Sequence, residues 1–152
     1  MNEVIIRESK YEDRESVHRL LLLIAELHRN GRPDMFGDLV SKYDVNQVGQ
    51  RLSAEDNGVF VAETDGKVVG YVFCDIISEG NGLTLYIDDL CVDPESRSHG
   101  IGTKLLDRAK EYAEEKNCRC VMLNVWEFNE NAVEFYKKYG FKTRTRHMEI
   151  IL

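Results

Sequence analysis

The chain has 152 residues, of which 43% are hydrophobic and 31% are charged, as expected for one globular domain covering residues 1–152. Its formal net charge of -7 argues against general nucleic-acid binding, because attraction to phosphates requires a basic face. The longest apolar run, from Leu20 to Ala25, is too short to cross a bilayer, and the N-terminal residues lack the pattern of a signal peptide. We therefore expect no membrane association and a cytoplasmic location.

The first half of the chain predicts two helices between β-strands. The expected elements are a strand at 4–6, a helix at 13–29, a weaker helix within 35–57, and strands at 59–64 and 68–77. Gly31 and Pro33 are expected to end the first helix, because glycine tolerates a left-handed exit and proline cannot continue a helix. Asp65-Gly66 is typical of a hairpin turn, so the last two strands are expected to be antiparallel neighbours.

The second half predicts a β-α-β unit followed by a helix and a last strand. The expected elements are a strand at 83–92, a helix at 100–116, a strand at 120–125, a short helix at 131–139 and a closing strand at 147–152. Residues 78–82 are expected to form the loop before the first of these strands. Because a β-α-β unit joins neighbouring parallel strands, the element order predicts a mixed sheet with helices on both faces.

The four cysteines, Cys74, Cys91, Cys118 and Cys120, show no CxxC spacing and no nearby histidine cluster. Cys91 and Cys120 lie within apolar runs, where a reduced cysteine usually packs as a small hydrophobic residue. We therefore expect no bound metal and a reducing compartment.

The most informative segment is the turn between the strand at 83–92 and the following helix. Arg97 follows the strand, and Gly100 and Gly102 open the helix. The first N–H groups of a helix lack intrahelical acceptors, and they lie at the positive end of its dipole, so this turn can bind a pyrophosphate. A dinucleotide fingerprint would require a third glycine at Leu105, and a P-loop would require Gly-Lys-Ser/Thr where the chain has Gly-Thr-Lys. A tight strand-to-helix turn without a ligand remains the alternative.

Two motifs resemble those of the GCN5-related N-acetyltransferases (GNAT). The pattern Arg97-x-x-Gly100-x-Gly102 after the strand resembles motif A of that family. Residues 129–141, which read Asn-Glu-Asn-Ala-Val-Glu-Phe-Tyr-Lys-Lys-Tyr-Gly-Phe, resemble its motif B. Ser98 departs from the pattern, because many members have a glycine there.

This resemblance implies an α/β (α+β) fold in which about four helices flank a mixed central sheet of six to seven strands. It also implies that the fourth and fifth strands are splayed apart and that the pantetheine of the cosubstrate acetyl-CoA lies in the gap. The implied contacts are the main chain of Leu90, Cys91 and Val92, the pyrophosphate turn of Arg97, Ser98, His99, Gly100, Ile101, Gly102 and Thr103, and either Asn129 or Asn131 on the CoA arm.

The implied reaction is direct attack of an amine on the thioester through a tetrahedral intermediate. Tyr136 matches the family's usual general acid, and Asp88 falls where polyamine-acetylating relatives have a glutamate proposed as the base. Strand alternation places Asp88 and Asp89 on opposite faces unless a bulge intervenes, so either carboxylate is open as the base, and Glu127 is a third candidate. A backbone N–H near Leu90 or Cys91 is expected to stabilise the oxyanion.

The acceptor site in this family is built mainly from the first two helices and their loop. Here that region supplies His28, Asp34 and Phe36 as candidate substrate contacts, together with Asp89 on the strand. The resulting hypothesis is an N-acetyltransferase acting on a primary amine of a small molecule, polyamine-like or otherwise basic. A protein N-terminus or lysine as acceptor, and a catalytically silent CoA-binding module, are the alternatives. The closing strand offers an edge for a homodimer.

Overall fold

The computed structural model describes residues 3–97 and 99–152. Within this part of the chain, five strands and five α-helices follow one another as β1 (Ile5–Glu8), α1 (Arg14–Gly31), α2 (Pro33–Phe36), α3 (Val45–Ser53), β2 (Val59–Thr64), β3 (Lys67–Glu79), β4 (Gly82–Val92), α4 (Ile101–Glu115), β5 (Cys118–Leu123) and α5 (Glu130–Tyr139).

The strands form one mixed sheet in the order β1-β2-β3-β4-β5. The first four strands are antiparallel neighbours, and β5 runs parallel to β4, as a β-α-β connection requires. Asp65 and Gly66 both have positive φ in the β2–β3 turn, which confirms the predicted hairpin.

Helices cover both faces of this sheet, as predicted. Alternating residues of β2 divide between the two faces: Phe60 packs with α4 residues such as Leu105, whereas Val61 packs with α1 and α3 residues such as Leu20 and Val48. This alternation follows from the two-residue period of a strand.

Two expectations about the strands are wrong. The sheet has five strands rather than six to seven, because residues 147–152 form no strand and are exposed throughout. The predicted loop at 78–82 is much shorter, because β3 continues to Glu79 and β4 begins at Gly82. The polar residues near this turn lie in a part of the hairpin that extends beyond the core. Strand pairing continues there, so polar composition did not indicate where the strands end.

The role predicted for Gly31 is also wrong. The first helix ends there, but Gly31 has no left-handed φ; the helix is closed by Arg32, whose N–H donates to the carbonyl oxygen of His28. A Cβ atom at Gly31 would lie 2.1 Å from Cε1 of Phe128. Glycine is therefore required because the helix end and an aromatic ring approach each other closely.

Candidate active site

Strands β4 and β5 are paired over only part of their length. The last paired residues are Ile87 and Leu123, whereas β4 continues to Val92. Backbone N–H and C=O groups of successive residues point alternately to the two sides of a strand, so some groups of the unpaired end of β4 face the gap. The predicted splay is confirmed, and it leaves hydrogen-bonding groups of Leu90, Cys91 or Val92 available to an extended ligand.

A β-bulge lies in β4 at the start of this gap. Cys74 of β3 pairs with Ile87, and the next residue, Phe73, pairs with Asp89, so Asp88 is the extra residue. The bulge interrupts strict alternation, and the two adjacent carboxylates have different neighbours.

Both carboxylate oxygens of Asp88 are engaged by the segment before α3. Lys42 Nζ lies 2.7 Å from Oδ1, and the Tyr43 hydroxyl donates to Oδ2 over 2.7 Å. Asp44 caps α3 by accepting from the N–H of Gln47, which fixes where the helix begins and places Tyr43 directly before it. Asp88 thus anchors this segment to β4.

Asp89 lies in a more apolar environment. Its Oδ2 accepts a 2.8 Å hydrogen bond from the hydroxyl of Tyr71, a fully buried residue of β3. Burial raises the pKa of Asp89 to about 6, although the Tyr71 hydrogen bond opposes the shift. A carboxylate with this pKa is ionised at neutral pH and is a stronger base than an ordinary aspartate.

Tyr136 on α5 is half-buried beside the rings of Phe135 and Phe141. Burial raises its pKa to about 12, and the neighbouring charge of Asp89 contributes in the same direction. The Tyr136 ring packs against the core cluster on the α4 face of the sheet, as do Leu90 and Val92 of β4. The hydroxyl is protonated at neutral pH and can donate a proton.

The turn before α4 has the geometry expected of an anion site. Gly100 has φ of 72°, in the left-handed region, and caps α4. Lys104 N donates to Gly100 O, so the N–H groups of the three preceding helical residues, Ile101, Gly102 and Thr103, belong to the first turn that lacks helical acceptors. These donors and the dipole of a 15-residue helix fit a diphosphate.

The other residues of this turn have mixed roles. Arg97 is exposed, with Nε donating to Val92 O over 3.3 Å, and His99 Nδ1 lies 2.9 Å from Arg97 O. Gly102 has a packing role, because a Cβ there would lie 2.9 Å from Cζ of Phe135. Ser98 lies outside the described residues.

Asn129 caps α5, accepting from Ala132 N through Oδ1 at 3.4 Å. Asn131 is exposed in the first turn of the same helix. Glu127 is exposed in the loop before it. These three positions lie on the segment between the open end of β5 and the first turn of α5.

Four aromatic rings form a cluster that the sequence only partly indicated. His28 stacks on Phe36 with centroids 5.1 Å apart, Phe36 meets Trp126 edge to face at 5.5 Å, and Trp126 stacks on Phe128 at 5.8 Å. Burial lowers the pKa of His28, and the positive charge of Lys42 adds to the effect. The cluster joins the α1–α2 region to the loop after β5.

Phe36 and His28 were predicted as acceptor contacts, but Trp126 and Phe128 were not. The signal available in the sequence was the position of these two aromatic residues, two apart and shortly after a strand. Asp34 lies beside this cluster in an ion pair with Arg32 at 2.8 Å, and the Arg32 guanidinium lies 5.3 Å from the Trp126 ring centroid.

Among residues 3–97 and 99–152, no group of three or more His, Cys, Asp or Glu side chains is arranged to hold a metal ion. None of the helices described is long and apolar enough to cross a membrane.

Comparison with known proteins identifies similar chains. Residues 21–141 match the family model described as the Acetyltransferase (GNAT) family. An uncharacterized N-acetyltransferase of Methanocaldococcus jannaschii is 40% identical over 96 residues, which cover 61% of this chain and 42% of that protein. The chain therefore matches less than half the length of this relative.

Two further comparisons extend over most of the chain. The thialysine N-epsilon-acetyltransferase of Sus scrofa is 31% identical over 157 residues, covering 95% of this chain and 88% of that enzyme. The crystal structure of a mutant of the BH1408 protein from Bacillus halodurans has a TM-score of 0.86 at 27% identity, covering 97% of this chain and 99% of the other.

Proposed function

The chain belongs to the acetyltransferase (GNAT) family, and from this premise we propose that it transfers an acetyl group from acetyl-CoA to a primary amine of a small, basic molecule. The observation that carries the proposal is the gap beside the end of β4. It combines unpaired backbone, the Asp89 carboxylate, the Tyr136 phenol and, beyond the strand, the first turn of α4.

Acetyl-CoA, when bound, supplies the acetyl group as a thioester. The amides of Ile101, Gly102 and Thr103 would hold its diphosphate, with the exposed Arg97 adding positive charge. Main-chain groups of Leu90, Cys91 and Val92 would align the extended arm, because the splay leaves them without β5 partners. Asn129 or Asn131 would contact the same arm from the first turn of α5.

The acceptor amine must lose a proton, because an alkylammonium has a pKa of about 10.4. Asp88 is held by Lys42 and Tyr43, so we assign the proton to Asp89, directly or through water. Asp88 would act as base only after releasing these two partners, and the exposed Glu127 only by reaching in from its loop. A backbone N–H near Leu90 would stabilise the oxyanion.

CoA departs more readily as a neutral thiol than as a thiolate, so a proton donor assists this step. Tyr136 is the donor that fits, because its pKa of about 12 keeps the phenol protonated throughout the physiological range. The charge of Asp89 adds to this effect.

The acceptor class rests on the aromatic cluster and on a relative. The cluster already accommodates one cation, because the Arg32 guanidinium lies 5.3 Å from the Trp126 ring centroid, and the relative named for thialysine acetylates, by that name, its epsilon nitrogen. Asp34 and Asp88 are both ion-paired, so we favour a basic amine bound by the aromatic cluster and Asp89 over one bound by several carboxylates.

The proposal is tested by release of free CoA thiol from acetyl-CoA with a panel of amines. The panel comprises thialysine, lysine, spermidine and a neutral primary amine, with a peptide bearing a free N-terminus as comparison. We expect turnover with one or more of the small basic amines, and Tyr136→Phe should lower kcat at least about tenfold, or about 1.4 kcal/mol of barrier, with nearly unchanged acetyl-CoA affinity.

Other results of this assay would assign the chain a different function or change the proposed mechanism. Binding of acetyl-CoA without turnover of any amine would mean a silent CoA-binding module. Turnover of the peptide alone would mean a protein acetyltransferase. Unimpaired turnover in Tyr136→Phe would remove this tyrosine from the mechanism.

A further inference from the structure

A buried carboxylate lies between β4 and the turn that leads to α4. Asp93 directly follows the last residue of β4, and only 5% of its surface is exposed. Burial opposes its ionisation, but the hydrogen bond from the N–H of Glu95 and the ion pair with Arg19 hold the pKa of Asp93 below its usual range. The carboxylate is therefore charged at neutral pH. A charge that is taken out of water is costly unless it is paired, so the conformation of this turn depends on the partners of Asp93.

Every polar group of Asp93 has a partner. Its N–H donates to the carbonyl oxygen of Val69 over 2.8 Å, at the end of the β3–β4 pairing. Its carbonyl oxygen accepts from Ser96 N at 2.8 Å, and its Oδ1 accepts from Glu95 N at 3.1 Å. Its Oδ2 lies 3.1 Å from the guanidinium of Arg19 on α1. The first three contacts lie within the β3–β4 pair and the turn itself, and the fourth joins the turn to a helix.

The ion pair between Arg19 and Asp93 lies beside a second contact between α1 and the end of β4. The Cys91 thiol donates to the carbonyl oxygen of Leu20 over 3.7 Å, so neighbouring residues of α1 contact alternate residues of the chain at the end of β4. Leu20 is fully buried and Cys91 nearly so, whereas 43% of the Arg19 side chain is exposed. Arg19 therefore lies at the rim of this contact, where its side chain can be replaced without opening the core.

The turn that Asp93 begins leads to the proposed diphosphate site. Ser96 N bonds to the carbonyl oxygen of Asp93, and His99 Nδ1 lies 3.2 Å from Ser96 O and 2.9 Å from Arg97 O. Local contacts thus extend from Asp93 to the residue before the cap of α4, so a displaced Asp93 would shift the donors of the first helical turn. An unpaired carboxylate in this turn would also repel a diphosphate, because like charges repel strongly where solvent screening is incomplete.

We propose that Arg19 is a positioning residue for acetyl-CoA, which pairs with Asp93 and so holds the turn before α4 in the geometry that binds the diphosphate. It acts through Asp93, whose negative charge it compensates, rather than by contact with the cosubstrate. The pair also connects the cosubstrate turn to α1, the helix that carries His28 of the aromatic cluster near its end. The inference rests on the proposed function, because it assigns a residue to the acetyl-CoA site.

Calorimetric titration with acetyl-CoA and initial rates of thiol release test this role. Arg19→Gln should raise the Kd and KM for acetyl-CoA about tenfold, because it leaves the Asp93 carboxylate charged and unpaired. The kcat and the KM for the amine should stay within about twofold of wild type. Asp93→Asn combined with Arg19→Gln should restore most of the affinity, because the amide oxygen can still accept from Glu95 N and no charge remains. Arg14→Gln removes the same charge from the first residue of α1 and is the matched control, with unchanged Kd.

The restored affinity of the double variant separates a positioning role from a purely structural one. Loss of an ordinary surface ion pair lowers the melting temperature slightly and leaves ligand affinity unchanged. If wild type binds acetyl-CoA and Arg19→Gln binds it equally well, the inference is overturned and the proposed function stands. A double variant as weak as Arg19→Gln, or an equal loss of affinity in Arg14→Gln, would also overturn the inference. A wild-type chain that does not bind acetyl-CoA would overturn both. Thermal melting of the same samples checks that each variant is folded.

Discussion

Asp88 and Asp89 are adjacent, yet their side chains have opposite surroundings. The first is ion-paired with Lys42 and bonded by Tyr43, while the second accepts the Tyr71 hydroxyl and has its pKa raised to about 6 by burial. The bulge at Asp88 interrupts the alternation that would place the two side chains on opposite faces, so their neighbours, rather than the strand period, distinguish them. The residue that anchors a loop and the residue that accepts a proton can therefore be neighbours.

The assignment of Asp89 as base predicts a particular pH profile. A base acts when it is deprotonated, so kcat/KM should rise as the pH increases through about 6, the pKa of Asp89 in the free protein. Ionisation of the amine itself should add a second rise at higher pH. Initial rates of thiol release between pH 5 and 9 measure the profile.

The neighbouring aspartate provides the control for this profile. Asp89→Asn should lower kcat/KM at least about 100-fold and abolish the inflection near pH 6. Asp88→Asn should keep the inflection, even if loosening of the Lys42–Tyr43 segment changes KM. Loss of the inflection in Asp88→Asn, with its retention in Asp89→Asn, would assign the base to Asp88 instead.

At the level of elements, the active-site gap arises because β4 is longer than its neighbour β5 and continues beyond it. β4 has 11 residues and β5 has six, so the open end of β4 follows directly from their lengths and register. α4 begins after the turn that follows this open end, and α5 follows the loop after β5, so both helices start near the gap. Tyr136 of α5, residues of α4 and the end of β4 pack against one core cluster on this face of the sheet.

The junction between α1 and the aromatic cluster predicts a stability effect. Gly31→Ala should lower the free energy of unfolding by about 1–3 kcal/mol, because the new Cβ would overlap the Phe128 ring and displace it. Denaturant unfolding of the purified variant measures the change. Asn30→Ala, an exposed position in the same helical turn, is the control and should stay within about 0.5 kcal/mol of wild type. An unchanged midpoint for Gly31→Ala would show that the ring moves without cost.

At the level of the whole molecule, local patterns predicted the elements, and contacts distant in sequence decided the rest. The helix at 100–116 and the hairpin around Asp65-Gly66 were predictable because periodicity and turn chemistry are local. The bond between Tyr43 and Asp88 joins residues 45 positions apart, and no pattern in either segment indicates it. The prediction of a strand at 147–152 was wrong for the same reason, because a strand requires a partner that its own sequence does not specify.

Short motifs are more informative about the candidate site than composition. They single out Gly100 and Tyr136; in the structure Gly100 caps α4, and Tyr136 packs against the core cluster that Leu90 and Val92 of β4 also contact. The role of Gly102 depends on Phe135, and that of Gly31 on Phe128, so each required the packed structure. The sequence therefore predicts candidate residues, but it does not indicate the packing partners that determine their roles.

Calorimetric titration with acetyl-CoA tests whether the end of β4 and the first turn of α4 form a cosubstrate site. We expect saturable heat with a Kd between about 1 μM and 1 mM, competition by CoA, and marked weakening when Arg97→Gln is combined with Gly100→Pro. Circular dichroism would confirm that this variant is folded. Absence of heat and of competition at millimolar acetyl-CoA would contradict the account, because the open end of β4 and the first turn of α4 would then not form a cosubstrate site.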